Sequence, residues 1–254
     1  MRTIVIGDIH GDATGLANIL EATGAVEGGT RVPETRVIQL GDLIHGGTPR
    51  GAMRYGVNDH EALLLGLHYC DTILIGNHEL PHVWPDAGFP TFGGQQPIAP
   101  KIRAALLAAY DAGQVTSATS VGDWLLTHAG LHPEFMGEGD SPAKSWAHSL
   151  RDAFRRQLLT DRPFYHFKWV GPRRGGPDKH GGIFWCDWRE LTAPGVISPI
   201  PQIVGHSPQE AGYAQHFNLW CVDAGAALSG RVAALVSDDD GGTWTPIIAG
   251  AAHE

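Results

Sequence analysis

Short apolar runs rich in β-branched residues alternate along the chain with stretches whose apolar residues recur every three or four positions. The first run, Thr-Ile-Val-Ile at 3–6, reads as a buried strand and stops at Gly7-Asp8-Ile9-His10-Gly11. Leu16, Ile19 and Leu20 follow at helical spacing, with Gly24 as a stop. A second strand is predicted at 36–40, ending in Gly41-Asp42. A helix over 58–70 carries Leu63, Leu64, Leu67 and Cys70 as its apolar face, capped by Asn58 or Asp59. A third strand at 72–75 ends in Gly76-Asn77-His78-Glu79. Each cycle of strand, turn and helix leaves its polar residues at the strand end, the pattern of an α/β sheet with a crevice at its carboxyl edge.

The proline-rich stretch 81–97 reads as a loop and the alanine-rich stretch 97–113 as a helix. Two β runs, 115–121 and 123–126, meet at Gly122 as a tight hairpin, and the second ends in Thr127-His128. Over 141–160, Trp146, Leu150, Phe154 and Leu158 form the stripe of an amphipathic helix. The basic, glycine-rich stretch 161–182 breaks this rhythm and is expected to be a mobile loop. A strand at 201–204 ends in Gly205-His206-Ser207, and β runs follow at 219–222, 232–236 and 244–248. These late runs predict a second sheet packed on the first. No repeat or long linker interrupts 1–254, which reads as a single domain with a basic insertion loop near 161–190.

The strand ends hold the chemistry. Asp8 and His10, one residue apart beyond a strand, can aim a carboxylate and an imidazole into the same crevice, a pair suited to Mn, Fe or Zn. Read alone, Asp8 could equally cap the next helix. Later strand ends add Asp42, Asn77, His78, His128 and His206, each beside a glycine or one residue from it. Two carboxylates, one amide and four imidazoles are enough for two ions sharing a bridging carboxylate. A single structural zinc would need about four ligands, usually including cysteine. Cys70, Cys186 and Cys221 all lie outside these turns and far from one another.

Composition narrows the partners. With 27 acidic and 18 basic residues, the net charge of −9 disfavours a broad surface for nucleic acid. The spaced cysteines suggest reduced thiols, and no apolar run approaches a membrane span, so a cytoplasmic protein with no membrane partner is expected.

Gly-Asp-Ile-His-Gly at 7–11, Gly-Asp-Leu-Ile at 41–44, Gly-Asn-His-Glu at 76–79, His-Ala-Gly-Leu at 128–131 and Gly-His-Ser at 205–207 together resemble the ordered motifs of the calcineurin-like metallophosphoesterases. Ile183-Phe-Trp-Cys-Asp and Val222-Asp-Ala-Gly resemble stretches of the phosphoprotein phosphatase and diadenosine tetraphosphatase branch. The resemblance implies a four-layer α/β/β/α sandwich, two packed β-sheets flanked by helices, with a dinuclear metal site at the strand carboxyl ends. It also implies ligand roles: Asp8, His10 and Asp42 for one ion, with Asp42 bridging to a second held by Asn77, His128 and His206. The implied ions are Mn2+, Fe2+/Fe3+ or Zn2+, and the implied activity is hydrolysis of a phosphate ester or anhydride. His78 would donate a proton to the leaving group.

The second motif departs from that branch, where Asp-Arg-Gly follows; here His45-Gly46-Gly47 stand instead. The arginine that clamps phosphate is therefore missing, and His45, Arg173, Arg174 and His180 are the candidate substrate contacts. Without the clamp, a phosphorylated small molecule or nucleotide that brings its own handles suits the site better than a phosphoprotein, although serine/threonine phosphatase activity stays open. A catalytically silent binding protein is the other alternative. It fits less well, because buried polar residues cost stability unless they are used. Trp169 and Trp185 flank the basic loop and could stack on a base.

Overall fold

The computed structural model describes residues 1–44, 58–91, 98–136, 141–160 and 165–250. Strand β1 (Arg2–Ile6) leads through a turn into helix α1 (Ala13–Ala22), whose first turn is capped by Asp12; Asp12 Oδ1 accepts the Gly15 N–H at 2.8 Å. Capping is thus done by Asp12, and Asp8 is left for other work. A small hairpin, β2 (Val26–Glu27) and β3 (Thr30–Arg31), precedes β4 (Thr35–Gln39). Asn58 caps α2 (Asp59–Tyr69) by accepting the Glu61 N–H at 3.1 Å, and β5 (Thr72–Leu74) follows. The apolar face of α2 is Ala62, Leu63 and Gly66 with Cys70, whereas Leu64, expected on that face, is 52% exposed. Gly66 lies under Leu43, which turns the helix so that Leu64 points outward.

The stretch expected to be a loop after β5 contains a one-turn helix, α3 (Leu80–Val83), and a short 3-10 turn, with Leu80, Val83 and Phe89 buried. Then come α4 (Pro100–Asp111), β6 (Val115–Thr116), β7 (Ala118–Val121), β8 (Trp124–Thr127), α5 (Ala143–Leu159) and α6 (Tyr165–Lys168). Helix α7 (Trp188–Leu191) precedes β9 (Gln202–Val204), β10 (Tyr213–His216), β11 (Leu219–Val222), α8 (Ala226–Ser229), β12 (Val232–Ser237) and β13 (Thr245–Ala249).

Two sheets result, in the orders β13-β12-β1-β4-β5-β6 and β10-β11-β9-β8-β7. The run 115–121, predicted as one strand, is shared between them. Val115 and Thr116 pair with β5 in the first sheet, and after the buried Ser117 the chain enters the second sheet at Ala118. The last two runs also differ from expectation. β12 joins the first sheet antiparallel to β1 and β13 pairs antiparallel to β12, while the second sheet instead gains β10, which the sequence pattern did not reveal.

The period of two along the strands separates the layers. Val5, Ile38, Leu74 and Leu235 of the first sheet pack against Val121, Leu126, Ile203 and Val222 of the second. Their neighbours Ile4, Ile6 and Val37 turn the other way, onto Leu16, Ile19 and Leu20 of α1 and Leu63 of α2. On the far side, Ala147, Leu150 and Phe154 of α5 cover β7 and β8. Helices therefore flank two packed sheets, as expected. Within the first sheet β1, β4 and β5 run parallel, and within the second β8 runs parallel to β9. Parallel strands deliver their carboxyl ends to one edge, and that is where the polar turns collect.

Candidate metal centre

Five strand ends converge there: Asp8 and His10 after β1, Asp42 after β4, Asn77 and His78 after β5, His128 after β8, and His206 after β9. Asp42 sits in the middle. Its Oδ2 lies 3.7 Å from His10 Nε2, 3.9 Å from His78 Nε2 and 3.5 Å from His128 Nε2. Asp8 Oδ2 is 3.9 Å from His10 Nε2, and His128 Nε2 is 3.0 Å from Asn77 Oδ1. Two groups, His10-Asp42-His78 and Asp42-His128-His206, are each close enough to surround an ion, and they share Asp42.

The turns are built for close approach. A Cβ on Gly76 would meet Asp42 Oδ1 at 2.1 Å, and one on Gly205 would meet Asp8 Oδ1 at 2.2 Å. His10, Asp42 and His206 have φ of 50°, 52° and 67°, in the left-handed region that non-glycine residues rarely occupy. Strain of this kind persists only where surrounding contacts enforce it. The His206 N–H donates to both Asp8 carboxylate oxygens at 3.1 Å, and the His78 N–H donates to Asp42 Oδ1 at 2.9 Å.

Two residues of the centre escaped sequence reasoning. Glu79 is buried; its Oε2 accepts the Asp42 N–H at 3.1 Å and the Gly76 N–H at 2.9 Å, while Oε1 accepts the Ile44 N–H at 3.1 Å. It thus ties the β4 turn to the β5 turn. Its sequence signal is its place as the last residue of Gly-Asn-His-Glu at 76–79. Asp223, at the end of β11, is buried beside Asp8, and its Oδ1 accepts the Gly225 N–H at 2.8 Å.

This buried charge is unusual. Burial, and then the charges of Asp223 and Asp42, push Asp8 well above the usual carboxylate range. Burial pushes Glu79 up to about 7 and Asp223 to about 6, with the charge of Asp42 adding to both. Against its own burial, Asp42 is held well below the usual range by His128 and His78. Burial, with the Arg174 charge behind it, keeps His206 neutral by lowering it well below the ordinary imidazole value.

The donor set fits divalent ions. His128 Nδ1 lies 2.9 Å from the Leu40 carbonyl, which can only accept, so Nδ1 carries the proton. Against its own burial, Asp42 raises the His128 imidazole, so Nε2 also holds a proton toward Asn77 Oδ1 and Asp42, the place that a shared cation would take. His206 Nε2 is buried with no hydrogen-bond partner, as a ligand nitrogen awaiting its ion would be.

The four candidate substrate contacts are dispersed. His45 lies outside the described residues. Arg174 reaches the centre: its Nη2 donates to the His206 carbonyl at 2.8 Å and to Ser207 Oγ at 2.9 Å, and its Nε lies 3.1 Å from Asp187 Oδ2. It lines a cavity of about 320 Å³ with Asp187, Trp188, Arg189, Ser207 and Gln209. Arg173 and His180 line a neighbouring cavity of about 310 Å³. The segment expected to be a mobile loop is packed from Phe167 onward: Phe167 is buried, the Val170 N–H donates to Asp178 Oδ2 at 2.8 Å and the Gly181 N–H to Glu190 Oε2 at 2.7 Å. Trp185 is fully buried edge-on to His206 at 5.9 Å, so it supports that ring and offers no face to a base.

The sequence model for calcineurin-like phosphoesterases matches residues 1–210. Among solved structures, a candidate diadenosine tetraphosphatase aligns over 97% of this chain and 93% of its own, at 16% identity and a TM-score of 0.54. A cold-active protein-tyrosine phosphatase from a psychrophilic Shewanella aligns over 94% of this chain and 76% of its own, at 15% identity and a TM-score of 0.59. Another structure of a cold-active protein tyrosine phosphatase covers 92% of this chain and 73% of its own, at 16% identity and a TM-score of 0.61. At these identities the likeness is one of fold. No curated protein sequence matches.

Proposed function

The chain belongs to the calcineurin-like phosphoesterase family, and from that premise we propose that it hydrolyses a phosphate ester or anhydride at a dinuclear metal centre. Asp8, His10 and Asp42 hold one ion; Asp42, Asn77, His128 and His206 hold the other. When bound, two divalent ions such as manganese, iron or zinc supply Lewis-acid charge and an activated water for attack on phosphorus. The single observation that carries the reading is the convergence of these donors around Asp42, with His206 Nε2 buried and unpartnered.

The remaining chemistry belongs to the chain. His78 is 21% exposed, beside the centre, and its backbone is fixed to Asp42 Oδ1. From there its imidazole gives a proton to the departing oxygen. Glu79 holds the turn that presents Asp42. A silent binding protein would retain four buried carboxylates and strained ligand turns at a cost and without use.

For substrate, a phosphorylated small molecule or nucleotide is favoured over a phosphoprotein. The motif at His45-Gly46 lacks the branch's arginine, and the cavity of about 320 Å³ beside His206 offers Arg174, Trp188, Arg189 and Gln209 to the rest of such a molecule. The decisive experiment combines metal analysis with hydrolysis of an aryl phosphate. About two ions per chain and chelator-sensitive turnover are expected, and full turnover by metal-free protein would overturn the assignment. A panel of phosphopeptides, nucleotides and sugar phosphates then tests the substrate class. Efficient turnover of phosphopeptides alone would reverse the preference.

A further inference from the structure

We propose that His132, Glu134 and His180 form a separate site for a divalent cation of the zinc class, linking the chain after β8 to the 165–182 segment. One ligand atom from each residue lies within 4.8 Å of the others. His180 Nε2 is 3.1 Å from Glu134 Oε2, close to the roughly 3.3 Å that separates neighbouring ligands on a tetrahedral zinc with bonds near 2.0–2.1 Å. Both histidines are buried and Glu134 is at the surface, so the set is a half-enclosed pocket with one open side.

Two of the three ligands already carry the charge that suits a cation. Burial, and then the neighbouring His180, lower His132 to about 4, so its ring is neutral at ordinary pH. Hydrogen bonds from Lys179 and His180 keep Glu134 ionised. The Glu134 N–H donates to His132 Nδ1 at 3.3 Å, so the neutral ring carries its proton on Nε2, and an ion must take the Nδ1 lone pair from that long hydrogen bond.

Besides that hydrogen bond, two features stand against an ion. The His132 and His180 rings are stacked, with centroids 3.9 Å apart and planes 14° from parallel, so one must turn to converge with the other. His180 Nδ1 has no hydrogen-bond partner, so the hydrogen bond lost when that ring turns is the one to Glu134 that the ion replaces, while Phe135 and Trp169, with ring centroids 4.8 and 5.6 Å away, must shift with it. A cavity of about 310 Å³ adjoins it. Lys179 occupies the other Glu134 oxygen, but the two side chains are 70% and 49% exposed, and exposed pairs of this kind contribute little. A divalent ion with two imidazoles displaces the ammonium.

Zinc binding by metal-free protein, measured in competition with a chromophoric chelator, tests the site. Glu134→Gln keeps the shape of a surface side chain and should weaken one zinc equivalent by about a hundredfold or more, at least the loss that removing an outer-shell partner of a metal ligand brings. His132→Ala should abolish that same equivalent. Native-like zinc binding in Glu134→Gln overturns the proposal, even if His132→Ala fails to fold. Asp42→Asn keeps the two readings apart: it should lose zinc at the dinuclear centre and retain this equivalent. Loss of the Glu134-dependent equivalent in Asp42→Asn as well would place that ion at the centre and overturn the separate site.

Discussion

Asp42 touches more of the centre than any other side chain, with three imidazoles within 3.9 Å of Oδ2 and the β5 turn bonded to Oδ1. Asp42→Asn should therefore be the most damaging single ligand change, lowering both metal content and turnover; metal analysis with an aryl phosphate assay checks it. His78→Ala should behave differently. Removing a general acid lowers kcat by about 10²–10⁴ on alkyl phosphates, and by less on nitrophenyl phosphate, whose leaving group needs little protonation. Metal content should be unchanged in that variant, and equal losses on the two substrates would argue for a binding role. His132 gives a pH signature. Its folded value of about 4 lies below the ordinary 6.5, so the unfolded chain takes up its proton first as pH falls. Its contribution to stability is present above about 6.5 and is lost progressively toward about 4. Denaturant midpoints of metal-free protein should fall across that window, and His132→Asn should flatten the slope.

At the scale of elements, the turns at the strand ends and the faces of the helices carry the testable content. Leu63 is fully buried on α2 while Leu64 is half exposed, so Leu63→Ala should cost about 2–5 kcal/mol and Leu64→Glu stay within roughly 0.5 kcal/mol. Urea denaturation of the two variants separates them. Helical spacing alone could not, because 63, 64 and 67 fall on adjacent faces and the choice is made by Gly66 lying under Leu43. The 165–182 segment makes a similar point. Its glycines and charges suggest a free loop, yet Arg174 holds the His206 turn and lines one cavity while Arg173 faces the next. Arg174→Ala should raise KM and also weaken metal binding through His206. Arg173→Ala should affect KM alone, a split that kinetics together with metal titration reveals.

For the whole molecule, ions that bind only the folded state stabilise it by linkage, about 2.7 kcal/mol at a hundredfold excess over Kd. Chelation should lower Tm measurably in the native chain and much less in Asp42→Asn. No described helix is long and apolar enough to cross a membrane. By itself the sequence determined the parallel strands, their polar ends and the set of residues that could hold metal, because strand period and glycine-flanked ligands are local patterns. It could not decide which sheet each late strand joins. Ser117 looks like any residue of a β run, yet the chain changes sheets there, and β12 pairs with β1 from more than 200 residues away. Nor could it find Glu79 and Asp223 as part of the centre. Their roles exist only where burial brings carboxylates, turns and imidazoles together, and that is decided by packing two sheets face to face.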